Sequence, residues 1–418
     1  MHNKYNNQRF FQETTMLSPG SWPCIILLYI YGTVATSLVT QSVPVIGDIA
    51  KYFELSHASA GWVISIPSLI TAIAAVFGGW LVDRIGDKRV IFGGSVFALV
   101  GNLVVFGSHD IGTMFFGRLL QGVGYLSLTV GAVTLIMRTT TGARRSIALG
   151  LWTSHTAVGI GLTLSIVAPL AQRGELWRWA FGGHAILMGA LACAVILLPA
   201  KQANLQSRRL SDIWLVLKSP RPYRVALASG ASAFIQTGIM AALTVYLSRR
   251  YGIAIPAAAA VGTLAEVFVA CGCLSVGHLL KAGVNGGRLA IVGGIVMLCG
   301  GVGLYLPMVG LVAAIVAVCV FSVGIGTVNG YIWTLVPSSS PSVGSLGATS
   351  GVVAQATYLG VLLGPPAIFA SFYEGGWMVR IGLVVIAVVL QLAPILGWGR
   401  AENLEDRRHA PVEALGPN

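Results

Sequence analysis

Arg118 and Glu266 are the two ionised side chains that fall well inside long apolar stretches of the 418-residue sequence. A charge at bilayer depth is costly, so each is a functional candidate by default. Glu266, flanked by Ala265 and Val267, sits near the middle of its stretch, where a desolvated carboxyl suits binding and release of a proton; the alternative is a neutral carboxyl hydrogen-bonded across helices. Arg118 shares a helical face with Gln121 and Tyr125 by their spacing of three and four. His155 and His184 lie in other apolar stretches and belong to the residue type that titrates near neutral pH, although an isolated membrane histidine more often serves as a packed hydrogen-bonder. Uncharged polar and aromatic residues mark a candidate cavity: Tyr29, Gln41, Gln236, Asn329, Tyr331, Trp333, Gln355 and Tyr358. Hydrogen-bonding rims and aromatic faces suit a medium-sized organic solute, against an interhelical packing role for each. No His/Cys/carboxylate set has metal-ligand spacing, and no cofactor is indicated.

The elements that must position these groups are membrane helices. The chain is 55% hydrophobic and 10% charged, against about 25% charged in soluble domains. Twelve apolar runs are long enough to cross a bilayer: 23–43, 60–82, 90–107, 111–137, 146–170, 179–199, 224–247, 256–280, 289–307, 309–336, 344–370 and 376–398. An all-α membrane protein of twelve transmembrane helices follows. The six cysteines all lie inside these runs and indicate no disulfide framework. The first 22 residues are polar and lack the apolar core of a cleavable signal.

Nineteen of the 26 Lys and Arg fall in the two tails and alternate loops, and six in the opposite loops. Basic residues favour the cytoplasmic side, so both termini are expected inside. The net charge of +12 thus reports topology, not a nucleic-acid partner. Residues 200–223 are polar, basic and edged by Pro199, Pro220 and Pro222, and divide the chain into six-helix halves, 23–199 and 224–398, between cytoplasmic tails 1–22 and 399–418. Each half carries a glycine- and charge-bearing turn after its second helix: Gly79, Asp83, Arg84, Gly86, Lys88 and Arg89 in the first, and a worn copy, Gly277, His278, Lys281, Gly283 and Arg288, in the second. Repeated halves are a mark of secondary transporters, with substrate bound near mid-membrane between them.

Gly79, Asp83, Arg84, Gly86, Lys88 and Arg89 fit G-x-x-x-D-R-x-G-x-[RK]-[RK], and Arg118, Gln121, Gly122 and Gly124 fit R-x-x-Q-G-x-G. On these two elements, at the right helices of a twelve-helix chain, the sequence resembles the major facilitator superfamily over about residues 20–400. The resemblance implies two pseudo-symmetric six-helix halves, alternating access, a gating role for the first motif, and proton coupling for Arg118 and Gln121, with Glu266 and His155 added by the reading above. It casts Arg118 as holding a substrate anion or modulating a carboxylate; the alternative is bonding to helix-end carbonyls of a neighbour. Helices one, seven, ten and eleven line the pathway in that family. Asp83 is expected to meet the positive end of the eleventh helix near Gly344 and Ser345.

One departure bears on direction. The G-x-x-x-G-P element of antiporters is missing from the fifth helix, which reads Gly150-Leu151-Trp152-Thr153, with Gly159 and Gly161 later. That stretch, with Trp177 and Trp179, is similar to cyanate-permease-like members. Proton-driven export of a small organic solute is the first reading, and proton-coupled uptake of a small organic anion or nutrient the second. No Walker-type phosphate loop is present. A membrane enzyme or sensor is the distant alternative, since the spans hold no paired carboxylates or activated nucleophile. The expected partners are a small-molecule substrate, protons and the lipid bilayer, and a monomer is expected. The lack of an N-x-[ST] sequon is compatible with a bacterial inner membrane.

Overall fold

The computed structural model describes residues 17–55, 57–170, 173–199, 211–374 and 376–396. Of the expected polar segments, most of the 1–22 tail, the first half of the 200–223 linker and the whole 399–418 tail lie outside the described residues. Every regular element among the described residues is helical. Among the described residues, eleven helices are long and apolar enough to cross a membrane: span 1 Trp22–Thr40, span 2 Ala60–Ile85, span 3 Asp87–Phe106, span 4 Ile111–Thr139, span 5 Gly142–Val167, span 6 Gly174–Leu197, span 7 Pro220–Tyr251, span 8 Ala257–Lys281, span 9 Gly286–Tyr305, span 10 Leu311–Ser339 and span 11 Leu346–Ser371. A shorter apolar helix, Gly376–Leu392, is span 12.

Local chemistry sets where the spans begin and end. Ser21, Asp110 and Asn285 cap spans 1, 4 and 9 by accepting from the backbone N–H three residues on, which satisfies a donor the helix leaves open. Gly252, left-handed at φ 68°, ends span 7. The stretch 79–89, expected as a turn, is helix on both sides of one residue: span 2 runs through Ile85, Gly86 breaks the chain at φ 95°, and Asp87 opens span 3. A non-glycine residue resists that conformation, so the reversal needs one residue, and Gly79, Asp83 and Arg84 are part of span 2.

Span 5 breaks without a proline. Its two helices, Gly142–Thr153 and His155–Val167, meet at Ser154. Three successive side chains draw down carbonyls three residues back: Thr153 Oγ1 donates to Gly150 O at 2.9 Å, Ser154 Oγ to Leu151 O at 2.8 Å, and His155 Nδ1 bonds Trp152 O. Side-chain competition for helix carbonyls bends helices. The Tyr29 hydroxyl holds the bend from span 1, 3.1 Å from Ser154 Oγ.

The halves meet where glycines let backbones touch. A Cβ on Gly79 would overlap the Gly347 carbonyl of span 11, and one on Gly351 would overlap Ala75 O of span 2. In the twin arrangement, Gly277 of span 8 backs onto Ile147 of span 5, and Gly150 onto Cys273 O. All four contacts lie in the halves of their spans nearest Asp83, so the bundle is closed at that end. Small residues permit such approach in lipid. A Gly79→Val substitution is therefore expected to part spans 2 and 11 and raise labelling of a cysteine at Ser350→Cys by an impermeant thiol reagent applied from the Asp83 side. Gly61→Val, whose side chain would meet open space, should leave labelling unchanged in the same background lacking other cysteines.

Candidate functional site

A cavity of about 320 Å³ lies between the halves, lined by spans 1, 2, 4, 5, 7, 8, 10 and 11. It runs from Ser350 and Trp333, near the closed end, to Thr40, the last residue of span 1 at the opposite end. Two of its ionisable side chains are Glu266 and His155, and none of the lining residues is Lys or Arg. Glu266, half-buried on span 8, forms no hydrogen bond or ion pair with any described residue. His155 is occupied: Nδ1 bonds Trp152 O, the ring lies 4.3 Å from the Trp152 ring, and Nε2 is 3.4 Å from Thr156 Oγ1. The hydroxyls of Tyr125 on span 4 and Tyr358 on span 11 bond to each other and join the halves across the cavity.

Of the eight residues expected to meet substrate, Gln236, Asn329, Trp333 and Tyr358 line the cavity. Tyr29, Gln41, Tyr331 and Gln355 do not, and helix geometry says why. Asn329 and Trp333 are four apart and share a face, which turns Tyr331 the other way into the core, against Gly286. Gln41 follows Thr40 and points into the first half, donating to Asn102 Oδ1 at 2.9 Å. Gln355 Nε2 faces Ile73 O at 3.4 Å, and Tyr29 braces the bend in span 5.

The Asp83 carboxylate, buried at 4% exposure, sits on the start of span 11. Oδ1 accepts the Gly347 N–H at 2.9 Å and Oδ2 accepts the Ala348 N–H at 2.8 Å. Free amides and the macrodipole make a helix N-terminus an anion site, and the Ser342–Ser345 capping box orders this one. Sequence reading missed the third partner. Arg138, in the last turn of span 4, bonds Asp83 and forks onto both oxygens of Asp87 at 2.9 and 2.8 Å; it read as one more basic loop residue. Of the other motif cations, Lys88 Nζ donates to Ile196 O and Leu198 O at 3.0 and 2.7 Å at the end of span 6, Arg84 lies 5.0 Å over the Trp80 ring, and Arg89 is exposed.

Arg118 is fully buried and away from the cavity. Nε donates to Val63 O and Nη1 to Leu38 O, both at 2.7 Å, and Nη1 also bonds Gln121 Oε1. Its bonding partners among the described residues are carbonyls, an amide and the Ser42 hydroxyl. It binds spans 1, 2 and 4 together in this conformation. Asn102, which sequence reading passed over, connects this group to His184: its Oδ1 accepts from Gln41 and Gln121, and its Nδ2 lies 3.1 Å from His184 Nδ1. His184 Nε2 is 3.0 Å from Val34 O, a carbonyl that accepts from an Nε2–H. Replacing Asn102 with Ala strands three buried polar groups. A cost of about 1–3 kcal/mol per stranded group should appear as a lowered melting temperature of purified protein, whereas Asn329→Ala, at the cavity wall, should melt near the wild-type temperature.

Paired half-bundles around a mid-depth cavity, closed at one end by glycine contacts and a buried carboxylate, define a multi-pass membrane transporter. The chain belongs to the Major Facilitator Superfamily, whose profile matches residues 25–365. It is 28% identical over 208 residues, 47% of this chain and 49% of the relative, to the uncharacterized transporter YycB of Bacillus subtilis (strain 168). It is 28% identical over 135 residues, 32% of this chain and 33% of the relative, to the 3-(3-hydroxy-phenyl)propionate transporter of Escherichia coli (strain K12). It is 24% identical over 177 residues, 41% of this chain and 34% of the relative, to the multidrug export protein EmrB of the same strain. The matches therefore span about half or less of these curated relatives. Among solved structures it resembles the transporter FucP in the outward conformation, with a TM-score of 0.73 at 14% identity, covering 90% of this chain and 98% of FucP. The human organic anion transporter MFSD10 gives a TM-score of 0.73 at 13% identity, covering 88% of this chain and 98% of MFSD10. The family and these relatives are transporters, not enzymes. The shared fold is that of twelve-helix, alternating-access carriers of small molecules.

Proposed function

We propose that this carrier exports a small organic solute in exchange for protons across a bacterial inner membrane, with Glu266 as the proton carrier. The observation that carries the reading is a carboxyl in the wall of the central cavity, without a bonding partner among the described residues. Deprotonated and unpaired in a low-dielectric cavity, it is unstable; a proton or a bound solute relieves it. Arg118 acts indirectly in this reading, holding spans 1, 2 and 4 in the conformation closed at the Asp83 end. The halves 23–199 and 224–398 are the moving bodies, and the Asp83 end faces the cytoplasm because the basic residues gather there. Asp83, Arg138 and the start of span 11 form the latch of that end.

Export is preferred over uptake of an organic anion on the cavity's own chemistry: it offers no Lys or Arg to an anionic solute. A relative that exports drugs, EmrB, is consistent with it. Proteoliposomes enclosing a pH dye and challenged with a panel of organic solutes test the reading. Solute entry by exchange drives protons out and turns the lumen alkaline, whereas symport turns it acid. At least one solute should produce alkalinisation in the wild type and none in Glu266→Gln; acidification, or an unaltered response in Glu266→Gln, contradicts the assignment. With that solute, Asp83→Asn should insert at wild-type levels yet transport more slowly, and normal transport by a well-expressed Asp83→Asn protein would remove the latch.

A further inference from the structure

We propose that the solute is a lipophilic organic monocation whose charge pairs with the Glu266 carboxylate, so that solute and proton compete for one group. This rests on the reading of Glu266 as proton carrier and adds what else that carboxyl holds.

Glu266 supplies a carboxylate, and no lining side chain is Lys or Arg. Arg118, a fully buried cation of the first half, is engaged by span carbonyls, Gln121 and Ser42, and lies outside the lining. The cavity's field is therefore negative whenever Glu266 is ionised. Field lines focus in low-dielectric clefts, and a mobile cation is the species that neutralises this one.

The walls of the cavity are aromatic and apolar. Trp152, Trp333, Tyr125 and Tyr358 present ring faces or edges, with Val133, Ile160, Met240 and Val361 between them. Aromatic faces attract organic cations as well as apolar bodies, and the volume, about 320 Å³, falls at the small end of drug-sized sites. The neutral polar groups Gln236 and Asn329 suit orientation rather than charge.

Competition by protons requires that Glu266 be the group that titrates. On span 5, packed against span 8, His155 faces the cavity and is held by Trp152 O and the Trp152 ring. Span 5 also carries Arg144 and Arg145 in its first turn, outside the lining; span 10 carries Cys319 and the core residue Tyr331, both outside the lining; span 7 carries Arg221, Tyr223, Arg224, Tyr246, Arg249, Arg250 and Tyr251 at its ends; span 8 itself carries Cys271, Cys273, His278 and Lys281. His155 is therefore the competing candidate among the facing groups. Exchange of one monocation for one proton on one carboxyl leaves the cavity charge unchanged and moves no net charge across the membrane.

Equilibrium binding of radiolabelled tetraphenylphosphonium to the purified full-length protein tests the cation, with tetraphenylborate, of like shape and opposite charge, measured separately. Wild type should bind the phosphonium at alkaline pH, lose it on acidification, and not bind the borate at this site. Glu266→Gln should bind the phosphonium about tenfold more weakly or worse, the loss expected for a desolvated ion pair, with its residual binding independent of pH. His155→Gln should keep the pH dependence. Wild type that fails to bind the phosphonium, equal binding of it by Glu266→Gln, or pH dependence that follows His155 each overturn the proposal. If Glu266→Gln binds it normally but abolishes the proton response in proteoliposomes, the cation site fails while the proton carrier stands.

Discussion

Between Asp83 and the first amides of span 11, one carboxylate meets one helix end across the junction of the two halves. The contact links residues 264 and 265 positions apart in sequence, and Arg138 ties a third span into it. Bonds to a charged group are worth about 1.5–3 kcal/mol each, while a buried charge that loses its partners costs several kcal/mol. Such a contact is stable when complete and unstable when half made, so it favours two discrete states, closed or fully parted. The glycine approaches of Gly79 to Gly347 and Gly351 to Ala75 bring the two spans close enough for it to form.

The second pair of spans repeats the packing without the charge. Gly277 occupies in span 8 the place Gly79 holds in span 2, and backs onto span 5 as Gly79 backs onto span 11. Four residues further on, where the first half has Asp83, the second has Lys281. A cation facing the positive end of span 5 gains nothing from its dipole. The closed end is thus held by one ionic clasp and by two sets of close backbone contacts, and the charge chemistry of opening is concentrated on one side of the pseudo-symmetric pair. Above it, the bend of span 5 at Ser154 places Trp152 and His155 in the cavity wall, which the neighbouring span 8 lines with Glu266.

Much of this was readable beforehand because the bilayer makes composition decisive. Apolar length gave the twelve spans, the motifs beginning at Gly79 and Arg118 together gave the family, and the first of them gave the approach of Asp83 to span 11. Side-chain facing was less legible, since one residue of error rotates a helical position by about 100°. That is why Asn329 and Trp333 face the cavity while Tyr331 does not, and why Gln41 turns inward beside Thr40. Partners distant in sequence were missed for another reason: nothing near Arg138 or Asn102 in the chain signals Asp83, Asp87, Gln41 or His184. The bend in span 5 arises from hydroxyl and imidazole bonds to carbonyls, a signal weaker than the proline whose absence was noted.

In the proposed cycle the Asp83 clasp keeps one end of the transporter shut while the cavity communicates with the other. Pulsed electron–electron spin resonance between labels on exposed sites tests it directly, with one pair at Arg89 and Lys281 on the clasped end and one at Lys51 and Met308 on the opposite end. The first pair should show a dominant short distance that shifts to a longer one in Asp83→Asn, with the second pair moving in the reverse sense. Unchanged distributions at both ends in Asp83→Asn would contradict it.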